Sequence, residues 1–323
     1  MHFRAVKDSV AQPLHRLGSL VARLPRPAGL LIAGCFGALA KAGYFLPGSH
    51  FRRTVGNFCR VTGRTDPWPI YCRMVDNLGQ AALHYANLYH YGRSELLAHS
   101  VIDPTLQTEY ERLGKGAQGM ILLVPHCAGA VLSSARLSTF CPTVLIVREP
   151  RDSARRELML SYIRKLGPEF ILVRNTPPAT VMRKIIRALR ENKVVVGTTD
   201  LVKHEPDTIQ TRAVDQPIYS PAWPARLSAR FGTPIIPGYI QMDGSQIRLI
   251  ADEGYVEPDI TKSTQRWVSS FERRFRQYPF DWISMLDKYW ARVLAGASAA
   301  TINPTTLFTS NVESFDLSSR RDG

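Results

Sequence analysis

The sequence predicts an α/β protein with a mostly parallel, helix-covered sheet. The first observation is that short apolar segments alternate with helical segments of about 10 to 15 residues, as in strands joined by crossover helices. The second is that Met120–Val124 is apolar throughout and too short for a helix, which is typical of a strand buried on both faces. The strands that we predict are 120–124, 143–147, 170–173, 193–197, 234–241 and 246–251, with helices at 129–140, 153–166, 179–191 and 222–231.

The chain divides into three predicted parts. Residues 1–50 form a membrane-anchoring segment, residues 51–300 form the α/β domain, and residues 301–323 form a polar, flexible tail. Within the domain we predict helical structure over 51–97, a long loop over 198–221, and two last helices near 262–277 and 281–295.

Composition narrows the class of partner. The 323 residues include 41 basic and 27 acidic side chains, a formal net charge of +14, which favours an anionic partner such as nucleic acid, an anionic membrane surface or a phosphorylated substrate. The chain has no zinc-finger spacing and no RNA-binding aromatic signature, which argues against nucleic acid. Its five cysteines show no pattern and fit reduced thiols in a cytosol-facing protein. The scattered histidines lack the spacing of metal ligands, so no metal is predicted.

The N-terminal apolar segment is the candidate membrane anchor. Ala28–Ala40 is apolar without a break, and after Lys41 the apolar character continues to Leu46. A full span needs about 20 residues, so we expect either a short span or a helix lying in the membrane interface. Arg52 and Arg53 would then meet lipid phosphates. The alternative is a core helix of a soluble protein.

His126 is the first candidate catalytic residue. It follows the predicted strand 120–124 and Pro125, and small residues then open the next helix. Loops at the carboxyl ends of central strands carry the chemistry of open α/β sheets. A histidine there is able to act as a general base near neutral pH. The alternative is that His126 only caps a turn.

Three further loops follow predicted strands and would meet His126 at the same edge. They carry Arg148 and Glu149, then Arg174 and Asn175, and then Asp200 with Lys203 and His204. A strand-end carboxylate beside a histidine fixes its tautomer and stabilises its charged form. Arginines at such loops clamp phosphate or carboxylate groups, although they are also common on solvated surfaces.

In order and spacing, these features resemble the late acyltransferases of lipid A biosynthesis, which belong with the glycerolipid acyltransferases. The resemblance covers about residues 20 to 295. The segments that carry it are Val124–His126, Val147–Pro150, Val173–Asn175, Arg187–Val196 with Asp200, Pro221–Ser228 and Gly232–Pro237.

The resemblance implies a fold of the glycerolipid acyltransferase type and transfer of a fatty acyl group to a membrane lipid. The donor would be a thioester of acyl carrier protein or coenzyme A, and no other cofactor is implied. His126 would deprotonate the acceptor hydroxyl, with Arg148, Arg174 and Asn175 binding the anionic lipid substrate. The location implied is the cytoplasmic face of a bacterial inner membrane.

The sequence departs from the family pattern at two places. The family carries an acid five residues after the histidine, where this chain has Val131, so we expect Asp200 or Glu149 to orient His126 instead. Where the family carries a histidine and paired arginines, this chain reads Ser284–Trp290. The family's histidine and arginines are the residues expected to bind the phosphorylated disaccharide, so the resemblance does not identify lipid A as the acceptor. The alternatives are aminoacyl or other acyl transfer to a different acceptor, a non-catalytic relative, and a basic structural protein at the membrane.

Overall fold

The computed structural model describes residues 26–114, 119–198, 200 and 207–302. Its helices are α1 (Arg26–Ala42), α2 (His50–Thr62), α3 (Pro67–Tyr91), α4 (Arg93–Ala98), α5 (Pro104–Gly114), α6 (Ala130–Phe140), α7 (Ser153–Leu166), α8 (Pro178–Arg190), α9 (Trp223–Phe231), α10 (Ile260–Gln277) and α11 (Lys288–Ile302). Its strands are β1 (Ser100–Ile102), β2 (Met120–Leu123), β3 (Thr143–Val147), β4 (Glu169–Leu172), β5 (Val194–Gly197), β6 (Thr208–Ala213), β7 (Gln216–Pro221), β8 (Ile235–Asp243) and β9 (Gln246–Ala251).

Seven strands form one mostly parallel sheet in the order β1–β9–β8–β2–β5–β3–β4. Strands β8, β2, β5, β3 and β4 run parallel to one another. The β8–β9 hairpin reverses the direction, so β9 and β1 run antiparallel to these five strands. All four residues of the central strand β2 are buried, because helices cover both faces of the sheet. The predicted mixed α/β fold with a mostly parallel sheet is confirmed. The carboxyl ends of β2, β5, β3 and β4 therefore meet at one edge.

The predicted loop over 198–221 is wrong in its second half. There, β6 and β7 form an antiparallel hairpin, and Val214 and Asp215 make its two-residue turn with φ of 48° and 61°. Helix α10 supports this hairpin, since Glu272 accepts the Val214 N–H at 3.0 Å and Gln265 accepts the Arg212 N–H at 2.9 Å. The hairpin is polar and half-exposed, so the apolar pattern that reveals buried strands is missing. Lys203 and His204 lie outside the described residues.

Two other boundaries differ from the prediction. The polar segment before β2 contains helix α5, which ends at Gly114. The last helix begins at Lys288, because two short 3-10 turns, Pro279–Asp281 and Ile283–Leu286, occupy the first part of the segment predicted as helical. These turns bring residues 279–286 to the edge of the sheet that carries His126.

The candidate anchor forms the 17-residue helix α1, which is followed by the 3-10 turn Gly43–Phe45. Among the described residues no helix has both the length and the apolar character needed to cross a membrane. Helix α1 packs beside α3, and Lys41 forms an ion pair with Asp76 of α3 at 2.7 Å. Its outer side leaves Leu31 and Leu39 each 70% exposed. Residues 1–25 and 303–323 lie outside the described residues.

Candidate active site

His126 lies directly beyond the carboxyl end of β2. Pro125, which has no N–H to donate to a sheet, ends the strand, and Gly129 turns the chain into α6 with a left-handed φ of +77°. The backbone of this loop is held from outside, because the His126 carbonyl accepts the Ile283 N–H at 3.0 Å and Cys127 forms an antiparallel bridge with Trp282. The backbone that carries the imidazole is therefore held in place by residues 282 and 283.

Asp200 binds the ring and the backbone of His126 together. One carboxylate oxygen lies 2.5 Å from His126 Nδ1, and the other accepts the His126 N–H at 3.0 Å. A carboxylate only accepts hydrogen bonds, so Nδ1 carries the proton and Nε2 is left with a lone pair. The Asp200 side chain is completely buried, whereas 38% of the His126 side chain is exposed. Such an arrangement is able to act as a general base through Nε2.

Two tryptophans complete the surroundings of Asp200. Trp282 donates its indole N–H to the carboxylate at 3.2 Å, and Trp290 donates to the Asp200 carbonyl at 2.5 Å. Both rings are fully buried and pack against Phe271 and Phe275 of α10. Neither tryptophan was predicted from the sequence as a site residue. The property that could have pointed to them is that the indole N–H of a buried tryptophan usually needs a hydrogen-bond acceptor.

The proton affinities of the pair follow from this geometry. Burial lowers the pKa of His126, but the hydrogen bond and charge of Asp200, with a contribution from Asp287, raise that pKa above 6.5 overall. Burial raises the pKa of Asp200, but the charge and hydrogen bonds of His126 outweigh it, so the pKa lies below 3.8. Asp200 therefore stays ionised at neutral pH and stabilises the charged imidazolium.

Glu149 does not take the orienting position predicted for it as the alternative to Asp200. Its buried carboxylate accepts the backbone N–H groups of Arg174 at 3.0 Å and Asn175 at 3.1 Å, and its carbonyl accepts the Arg174 Nε–H at 2.5 Å. Burial raises the pKa of Glu149, but the backbone donors and the charge of Arg156 lower it overall. Glu149 thus holds the loop after β4 in place.

The predicted substrate-binding residues lie on the same edge of the sheet as His126 but not beside it. Arg148 follows β3, whose axis lies two strand spacings from β2, and Arg174 and Asn175 follow β4, three spacings away. At about 4.8 Å per spacing these strands are about 10 and 14 Å from β2. Arg148 and Asn175 are exposed, and Arg174 is half-buried. Any anion that they hold would belong to a part of the substrate remote from the reacting hydroxyl.

Two neighbours of His126 supply no catalytic group. Val131, at the position of the family acid, lies in the first turn of α6 with 40% of its surface exposed, and Asp200 makes the bond to Nδ1. Cys127 is buried. Burial raises the pKa of its thiol well above 9.0, so at neutral pH it is not a thiolate nucleophile. Within the described part of the chain, no group of three or more histidine, cysteine or acidic side chains is arranged to hold a metal ion.

An apolar groove of about 550 Å³ runs between α1 and α3. One of its lining residues, Leu286, ends the 3-10 turn whose first residue, Ile283, donates its N–H to the His126 carbonyl. The residues that line it are Ile32, Phe36, Gly37, Leu39, Ala40, Gly43, Phe51, Tyr71, Met74, Val75, Leu78, Gly79, Ala82, Leu83, Ala86 and Leu286.

The fold and site define an α/β protein in which a buried aspartate holds a histidine at the carboxyl edge of a mostly parallel sheet. The family described as bacterial lipid A biosynthesis acyltransferase matches residues 18–292, most of the chain. The chain belongs to this family, and the protein is an acyltransferase. A comparison with individually curated proteins gave no match.

Proposed function

We propose that the protein transfers a fatty acyl group from a thioester of acyl carrier protein or coenzyme A to the hydroxyl of a membrane lipid. The observation that carries this proposal is the His126–Asp200 pair, with Nδ1 held at 2.5 Å and an apolar groove reaching the segment that holds His126. The exposed Val131 would suggest a non-catalytic relative, but the bond that its missing acid would make is made by Asp200.

The proposed reaction uses His126 twice. Nε2 takes the proton of the acceptor hydroxyl, whose oxygen attacks the thioester carbonyl to form a tetrahedral oxyanion. Collapse of this intermediate forms the new ester and breaks the carbon–sulfur bond, and the imidazolium returns the proton to the leaving thiolate. Asp200 stabilises the imidazolium between these two steps.

Backbone N–H groups at the start of α6 are the proposed donors to the oxyanion. Ala128 and Gly129, which directly precede α6, are the candidates for this role. The Ala128 N–H already donates to the Asp281 carbonyl at 2.8 Å, so we do not assign it to the oxyanion. The role therefore passes to Gly129, whose N–H lies where the chain turns into α6.

We place the acyl chain in the groove between α1 and α3. Its volume of about 550 Å³ is in the range of small-molecule sites, and its walls are almost entirely apolar. Each methylene that it buries would contribute about 0.8 kcal/mol.

Two features support a site of action at an anionic membrane surface, which we propose to be the cytoplasmic face of a bacterial inner membrane. Leu31, Leu39, Phe45 and Leu46 expose most of their surface on one segment, and Arg52–Arg53 follow it directly. Apolar side chains that enter the interface beside arginines that meet phosphates are the elements of peripheral membrane binding.

The function is tested by lipid mass spectrometry. We expect the lipids of bacteria that express the protein to contain one species heavier by the mass of an acyl group, compared with bacteria that lack it. The same increment is expected when the purified protein is given an acyl carrier thioester and those lipids in vesicles. An increment other than a fatty acyl mass would assign a different group, and no increment with either thioester would contradict the proposal.

The groove assignment is tested at two glycines of α1. A Cβ added at Gly37, which lines the groove, or at Gly34, which does not, meets no atom within 4 Å. We expect Gly37→Phe to shorten the preferred acyl chain and to lower kcat/KM for the longest chain at least tenfold, because a few buried methylenes are lost. Gly34→Phe is the matched control and is expected to keep the chain preference. Equal profiles for the two variants would place the acyl chain elsewhere.

A further inference from the structure

Residues 279–286, which we call the Trp282 segment, are hydrogen-bonded at three successive positions to the His126 loop and to Asp200. The Asp281 carbonyl accepts the Ala128 N–H at 2.8 Å, the Trp282 indole donates to Asp200 at 3.2 Å, and the Ile283 N–H donates to the His126 carbonyl at 3.0 Å. The position of His126 relative to Asp200 therefore depends on where this segment lies.

The side chain of Asp281 fixes the segment to elements that carry no catalytic group. Its carboxylate oxygen Oδ1 accepts the Asn77 side-chain N–H of α3 at 2.6 Å and the Met242 N–H of β8 at 3.1 Å. Asp281 is fully buried, and its second oxygen, Oδ2, has no hydrogen-bond partner among the described residues. A buried carboxyl that leaves one oxygen unpaired costs free energy, and the proposed reaction does not use it.

The groups that face this carboxyl come from several elements. Arg73 of α3 and Asp243 of β8 act on it through their charges, and the Cys127 thiol and Tyr239 hydroxyl lie in the same buried cluster. Burial raises the pKa of Asp281 to about 7, against the opposing effects of Met242, Asn77 and Arg73. The hydrogen bonds from Asn77 and Met242 need only an acceptor, which either protonation state provides at Oδ1.

We propose that Asp281 is a positioning residue for His126, acting by accepting hydrogen bonds from Asn77 and Met242 and so locking the Trp282 segment against α3 and β8. The inference rests on the proposed function, because it assigns Asp281 to the geometry of the same base. Asp281 itself touches neither substrate nor the reacting atoms.

The first test compares two substitutions of Asp281. Asp281→Ala removes the acceptor, and we expect kcat to fall roughly 10- to 100-fold, as for a small misplacement of a catalytic group. KM is expected to change little, because the groove and the arginine loops remain. Asp281→Asn keeps an acceptor at Oδ1 and is expected to retain most of the activity. Equal losses in the two variants would contradict the proposal.

The second test follows the His126 ring directly by NMR titration of labelled histidine. In Asp281→Ala the bond to Asp200 loosens, so the pKa of His126 is expected to move down towards 6.5. Asn77→Ala, which removes one of the two donors, is expected to shift it in the same direction but less, and it serves if Asp281→Ala does not fold. Unchanged titration in a folded Asp281→Ala, or in Asn77→Ala where Asp281→Ala does not fold, would overturn the inference.

Glu109→Ala is the matched structural control. The Glu109 carboxylate also accepts a distant backbone N–H, from Gly254 at 2.7 Å, but it contacts no part of the site. We expect it to lower stability without changing kcat or the His126 titration. If Asp281→Ala behaves like this control while His126→Ala is inactive, the positioning role fails and the proposed function stands. If the wild type transfers no acyl group, the function fails, and the titration still tests the positioning.

Discussion

His126→Ala is expected to lower kcat for acyl transfer by about 10²–10⁴-fold, the usual contribution of a general base. The fold should survive, because 38% of this side chain is exposed and the loop is also held by backbone hydrogen bonds from Ile283 and to Asp281. KM should stay within a few-fold, since the histidine contacts the reacting hydroxyl and not the acyl chain or the anionic group. Initial rates with purified protein and vesicles measure this.

A matched control for this substitution is His99→Ala. His99 is half-buried and its Nδ1 lies 3.4 Å from the Ser245 hydroxyl, on the β1–β9 side of the sheet. We expect its activity to equal that of the wild type. If His126→Ala keeps more than half of the wild-type rate while folding normally, His126 is not the base.

Asp200→Asn is expected to cost nearly as much, because an amide accepts the Nδ1 proton weakly and cannot stabilise the imidazolium. The wild-type kcat/KM should fall as the pH drops through the raised pKa of His126, since the base must be unprotonated. In Asp200→Asn this limb should move to lower pH, because the main group that raises the pKa is gone. The pH dependence of kcat/KM for both proteins measures the shift.

Val131→Asp tests whether Asp200 has replaced the acid missing at position 131 or whether the site lacks an orienting acid. With Asp200 already bonded to Nδ1, a second carboxylate at position 131, in the first turn of α6, is expected to bring no gain in rate. A rate increase above the wild type would show that the pair is incomplete as it stands. A lower melting temperature is expected in Asp200→Asn, because the hydrogen bonds to His126 and Trp282 are weakened, so both proteins are assayed below it.

The buried strands were predictable because burial on both faces produces a recognisable hydrophobic pattern in the sequence. Residues of β2, β3 and β5 face helices on both sides, so they are apolar without alternation. The β6–β7 hairpin lacks this pattern. It is stabilised by hydrogen bonds from the Arg212 and Val214 N–H groups to Gln265 and Glu272, which lie 53 and 58 residues further along the chain. A pattern read within a short window does not contain those contacts.

The site was predictable in part for the same reason. His126 and Asp200 each follow an apolar strand, which is a local signal, whereas the choice between Asp200 and Glu149 depends on strand order. Because β5 lies next to β2 and β3 lies beyond it, the loop after β5 is the one that reaches His126. Trp282 and Trp290 reach Asp200 across 82 and 90 residues, and no local pattern shows this.

The most direct test is to measure the pKa of His126 itself. The role under test is that Asp200 replaces the acid missing at Val131 and holds the imidazole through Nδ1. NMR titration of labelled histidine should give a pKa above 6.5 for His126 in the wild type, with the proton on Nδ1 in the neutral ring. In Asp200→Asn the pKa should fall, and in Val131→Thr it should not change. A wild-type pKa at or below 6.5 that Asp200→Asn leaves unchanged would contradict the account.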